Sequence, residues 1–128
     1  MQKLEILSIS EVQRLAKQGD TEAMRKLAMA YMQGDGVCKD LDKGFEWILE
    51  AAERGNSEAM AEMADIYRSI QKFEKAFYWD EKAANQGRAM SMYNLSVHYR
   101  DGIGVSANKE KHHYWYEKGK QNGFPPSS

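Results

Sequence analysis

Apolar residues in this chain fall into runs with helical spacing, and each run stops at a glycine or a short polar turn. Ala23, Met24, Leu27, Ala28 and Tyr31 share one face, which predicts a buried helix over 21–33 with Asp20 as its N-cap. A second run, 41–54, sets Phe45, Trp47, Ile48, Ala51 and Ala52 on one stripe behind a cap at Asp40. Asn56 caps a third run over 57–69, and 73–86 stacks Ala76, Phe77, Trp79, Ala83 and Ala84. Two more follow, 89–100 and 109–122, the second capped by Asn108; Arg88 stands where the other first helices have a capping side chain. Ahead of all these, Ser10 with Gln13 in capping-box position opens a shorter run to Gln18, with Val12, Leu15 and Ala16 on one face and Gly19 as its C-cap. Residues 1–9 fit either a short helix or an extended lead-in, Phe124 is placed to fold back, and the PPSS tail is expected to be disordered.

The runs are copies of one another. Gly19 to Gly55 is a unit of 36 residues, Gly55 to Gly87 one of 32, and Gly87 to Gly123 one of 36. Laid over each other, Ala23-Met24 meets Ser91-Met92, Leu27 meets Leu95, Tyr31 meets Tyr99, and Trp47 meets Trp115. Gly34, Gly36 and Val37 meet Gly102, Gly104 and Val105, and repetition marks this element as a turn whose valine folds back to plug the gap. The middle copy keeps Ala59-Met60, Tyr67, Lys75-Ala76, Trp79 and Ala83-Ala84 but lacks the glycine loop. A fixed period of this length means stacked helix pairs. The expected architecture is all-α, an α/α solenoid of three helix pairs behind an N-terminal capping helix. As one domain over 1–128 it divides into a cap (10–18), repeats at 19–54, 55–86 and 87–123, and a tail (124–128). In the last helix Gly119 and Lys120 replace the paired alanines, the polar substitution expected where no further repeat follows.

The pattern EAM-x-x-LA-x-x-Y-x-x-G-x-G-V-x-x-D-x-x-K-x-x-x-W-x-x-x-AA-x-x-G, filled from Glu22 to Gly55, resembles the Sel1-like repeat. The resemblance covers residues 10–123 three times over, with the middle copy lacking the G-x-G-V loop and the third lacking the paired alanines. It implies membership of the tetratricopeptide-like α/α superhelices, wound right-handed, and a non-catalytic role in protein–protein interaction.

Composition narrows the chemistry. The chain has 18 basic and 19 acidic residues and no block of like charge, which argues against nucleic acid as a partner. No stretch predicts a signal peptide or a bilayer span, so no membrane insertion and a reduced, cytoplasmic location are expected. Cys38 is the only cysteine, reading as a half-buried loop thiol rather than a nucleophile. His112 and His113 are adjacent and point about 100° apart on a helix, so they cannot share a metal. His98 reads as lying near the helix interface or the surface. The tryptophans recur at one repeat position and read as core packing. No enzyme, cofactor or metal centre emerges.

The resemblance also implies where a partner would bind, since in tetratricopeptide-like folds the first helices line a concave groove. Carried onto this chain, those positions are Glu22, Arg25, Met29 and Met32; then Glu58, Ala61, Asp65 and Arg68; then Met90, Tyr93, Val97 and Arg100. These residues lie off the buried stripes of their own helices, yet several are apolar. A methionine-rich strip flanked by Arg25, Arg68 and Arg100 suits a protein or peptide ligand that is amphipathic or acidic. Curvature of a tight superhelix burying part of the strip is the structural alternative. Two roles fit: an adaptor reading a peptide in the groove, or an immunity protein neutralising one cognate bacterial effector. The residues do not select between them.

Overall fold

The computed structural model describes residues 8–124, and within them seven α-helices and no strand. They are α1 (Ile9–Lys17), α2 (Thr21–Gln33), α3 (Leu41–Glu53), α4 (Ser57–Ser69), α5 (Phe73–Asn85), α6 (Ala89–Asp101) and α7 (Lys109–Gln121). The expected elements are all present, with ends within one or two residues of those read from periodicity. The expectations for residues 1–7 and for the PPSS tail lie outside the described residues. The chain divides into two compact units, Met1–Ala59 and Met60–Ser128, with the division falling inside α4.

In the first unit α1 packs on α2, and α2 on α3. The cap of α1 is Ser8 and not Ser10: its Oγ accepts the Glu11 backbone N–H at 3.3 Å. Ile9 is helical, so the capping-box register Ser-x-x-Glu begins two residues earlier than the Ser10–Gln13 reading, and Ser10 lies within the first turn. Val12 and Ala16 are buried, as are Ile48 and Ala52 at the matching places of α3. Asp20 caps α2 by accepting from Ala23 N–H at 3.0 Å, and Asp40 caps α3 through Lys43 N–H at 3.1 Å. Gly34 ends α2 at φ 69°, the left-handed conformation that lets the chain turn back at once. Val37 is half-buried in that turn, whereas Cys38 is exposed, one step further round the loop than the half-buried thiol expected. Helices α2 and α3 approach closely at Gly44, where a Cβ would sit 2.7 Å from Met32 Cγ and 3.1 Å from the Ala28 carbonyl oxygen.

In the second unit α5 packs on α6 and α6 on α7. The core joins Ala84, Met92, Leu95 and Tyr99, with Phe77, Val105 and Trp115 against it. Phe77 meets the Tyr99 ring edge-on at 5.5 Å. Of the three tryptophans only Trp79 is buried; Trp47 and Trp115 are half-exposed. The α4–α5 turn lacks glycine, and Gln71 adopts φ 62° in its place, a left-handed backbone that a side chain strains. No side chain caps α6 at Arg88, as expected. Gly102 ends α6 at φ 68°, repeating Gly34, and Asn108 caps α7 through Lys111 N–H at 3.0 Å. Of the two residues read as a polar end face, Lys120 is exposed, but Gly119 is buried against α6, close to Ala89 and Met92.

Candidate interaction surface

A cleft of about 610 Å³ opens between α6 and α7, lined by Tyr93, Ser96, Arg100, His112, Tyr116 and Phe124. Phe124 folds back onto Tyr93, with ring centroids 4.5 Å apart. His112 donates from Nδ1 to the Ser96 carbonyl oxygen at 2.9 Å, which fixes its ring against α6. Arg100 extends from the rim and grips its neighbour Asp101 through two contacts of 3.0 and 3.1 Å. That pairing raises the Arg100 pKa and lowers that of Asp101, first through the hydrogen bond itself.

Tyr93 and Arg100 were expected at the partner surface, and the fold brings them together here. The rest of the expected set is distributed differently. In the first unit Met29 is 42% exposed, whereas Met32 is half-buried because Gly44 gives it a seat on α3. Arg25 bridges Glu22 at 3.0 Å and Glu58 at 3.3 Å, and Asn56 donates to Glu22 as well. In the second unit Met90 is 55% exposed, and Val97 is half-buried. Arg68, expected to flank the strip as an open charge, instead turns inward: its Nη2 meets Asp80 Oδ2 at 2.8 Å while Nη1 holds Asp65 at 3.0 Å.

Asp80 is the residue that sequence reasoning missed. It is 1% exposed, and its Oδ2 also meets His98 Nε2 at 2.8 Å. His98 is buried, not superficial, and its Nδ1 donates to the Ile103 carbonyl oxygen at 2.7 Å, tying the loop after α6 to α5. The signal was present in the repeat register: Asp80 stands where α3 has Ile48 and α7 has Tyr116. A position held by buried isoleucine in one copy is a candidate core position in another, although Tyr116 at the same place is 37% exposed. Tyr116 and His112 were not singled out for this surface, whereas Phe124 folds back as expected.

Asp65 has its pKa raised, mainly by desolvation and then by Asp80 and Glu62, against the lowering effect of Arg68. A carboxyl so shifted gives stability that is complete at low pH and falls as pH rises through its folded pKa. Asp65→Asn should therefore be neutral to stabilising by a few tenths of a kcal/mol at pH 7, the side chain being 74% exposed. The difference should vanish below about pH 3, where the wild-type carboxyl is protonated. Urea melts of both proteins at the two pH values check this.

Among the described residues no group of three His, Cys, Asp or Glu side chains gathers as a metal site, and no helix is long and apolar enough to cross a membrane. Helix pairs repeated three times, with glycine turns in register and an open surface on the first helices, define an all-α superhelical repeat protein. The Sel1 repeat model matches residues 21–56, 57–87 and 89–124, and the chain belongs to the Sel1 repeat family. It is similar to a Sel1 repeat protein from Oxalobacter formigenes, with 30% identity, 91% of each chain covered and a TM-score of 0.85. It is also similar to a protective antigen with this fold from uropathogenic Escherichia coli, with 27% identity, 91% of this chain and 26% of that one covered, and a TM-score of 0.83. Chitin synthase regulatory factor 3 of Schizosaccharomyces pombe is 30% identical over 114 residues, which are 84% of this chain and 12% of that protein. The chain thus spans about an eighth of that curated relative's length. Sel1 repeat proteins generally mediate protein–protein interactions and are typically non-catalytic.

Proposed function

We propose that this chain is a non-catalytic interaction module that binds a protein or peptide partner in the concave groove lined by its first helices. The observation that carries this reading is the exposure of large apolar side chains there: Met29 in the first unit and Met90 in the second, at 42% and 55%. Neither belongs to its helix's buried stripe, and exposed methionines form the adaptable surface that partner helices and peptides use. The other expected positions are Glu22, Arg25, Met32 and Glu58 in the first unit, and Asp65, Arg68, Tyr93, Val97 and Arg100 in the second. Because Arg25 and Arg68 hold internal carboxylates, the partner is recognised mainly by apolar contact, with Arg100 the outermost cation. The likeness to a chitin synthase regulatory factor supports a regulatory binding role over an enzymatic one.

The test is Met29→Glu combined with Met90→Glu. Both side chains face solvent, so the helical melting curve should shift by less than about 0.5 kcal/mol equivalent. Capture of partner from native lysate by the immobilised protein should fall at least tenfold. Undiminished capture by a folded double variant would remove these methionines from the interface.

A further inference from the structure

His98 meets an oxygen at each end of its ring. Nδ1 lies 2.7 Å from the Ile103 carbonyl oxygen, and Nε2 lies 2.8 Å from Asp80 Oδ2. A carbonyl oxygen only accepts, and Oδ2 already accepts from Arg68 Nη2 at 2.8 Å. Either neutral tautomer of the imidazole carries a single N–H, and leaves the lone pair of the other nitrogen pointing at an oxygen. Only a ring protonated on both nitrogens donates at both ends. The residue is 4% exposed, so solvent has little access to stand in for either partner.

We propose that His98 is a pH-sensitive latch: the doubly protonated ring holds the loop after α6 onto α5, and loss of one proton opens one of the two contacts. The charged groups that face the ring are Asp80 on α5 and, beyond it, Arg68 and Asp65 on α4. Phe77 of α5 adds an uncharged ring at 5.5 Å, and α7 meets α6 through His112, whose Nδ1 is taken up by the Ser96 carbonyl oxygen. Two cations, Arg68 and the imidazolium, thus stand against the carboxylates of Asp65 and Asp80, and the protonated ring balances the cluster. The fold favours that ring, so the latch contributes stability on the acid side that is lost as the pH rises and the proton leaves. The ion pair is not needed to close such a junction. Between α1 and α2 the same two repeat places hold Val12 and Ala30, both buried and apolar. What Asp80 and His98 add over an apolar pair is a response to protonation.

The test follows the ring nitrogen signals of His98 in the nitrogen-15-labelled full chain from about pH 5 to about pH 9. Hydrogen-exchange protection is read over the same range at the Ile103 and Asn108 amides, which donate to the His98 and Tyr99 carbonyl oxygens. At the acid end both ring nitrogens should read as N–H, and protection of the loop amides should fall by about tenfold or more as the ring titrates. Asp80→Val combined with His98→Ala, which installs the apolar pair of the α1–α2 junction, should leave that protection independent of the same titration. A ring with one bare nitrogen at the acid end, or loop protection that stays constant while the ring titrates, would overturn the proposal. Both are read on the wild-type chain, so they decide the matter whether or not the double variant folds. A folded double variant whose loop keeps the wild-type pH course would overturn it as well.

Discussion

Replacing Trp79 by alanine is expected to lower the unfolding free energy by about 3–5 kcal/mol, the range for deleting a large buried aromatic. Trp79 is 6% exposed, and the adjoining Tyr78 ring meets it edge-on at 5.1 Å. The same substitution at Trp47 or Trp115 should be milder, about 1–3 kcal/mol, because each is half-exposed and loses less buried area. Urea unfolding followed by far-ultraviolet circular dichroism ranks the three. A loss under about 1 kcal/mol for Trp79→Ala would mean that the α5 register is wrong, since no residue at a core position of this size is replaced so cheaply.

That ranking separates what the sequence carried from what it did not. Glycine spacing, alanine pairs and the recurring Tyr and Trp were enough to find every helix, because these residues answer to local backbone geometry and to a stripe visible within one helix. Burial grades escaped it: three tryptophans at one repeat position differ because each repeat has different neighbours. Met32 and Met29 look alike in α2, and only the missing side chain of Gly44 on the facing helix decides that one lies down and the other stays out. Of the expected partner residues, Tyr93 and Arg100 do line one cleft. Arg68, by contrast, was counted as an outward charge because its true partner, Asp80, follows a tryptophan in a helix whose polar positions otherwise read as solvated. A buried ion pair leaves no periodic trace; its signature is one charged residue at a position that other repeats keep apolar.

Asp80 is accordingly the site of the second large effect. Its carboxylate is 1% exposed and receives Arg68 from α4 and His98 from α6 on the same oxygen, each at 2.8 Å. Asp80→Ala removes the shared acceptor, leaves the Arg68 guanidinium only Asp65, and strands the buried His98 Nε2 without its partner. Breaking a buried pair from one side costs up to about 3–5 kcal/mol; here His98 stays desolvated while Arg68, its side chain 34% exposed, is partly reached by water. His98→Ala should cost less, about 1–3 kcal/mol: Asp80 keeps Arg68, and the Ile103 carbonyl, now lacking its 2.7 Å donor, lies in a loop that water can reach. The double variant should fall short of the sum by more than about 1 kcal/mol, the coupling expected of residues in one network. Strict additivity would show that the two side chains contribute through separate contacts. If removing Asp80 alone costs less than about 1 kcal/mol, the network does not clamp α4, α5 and α6 together, and the loop after α6 must be held by Val105 packing instead.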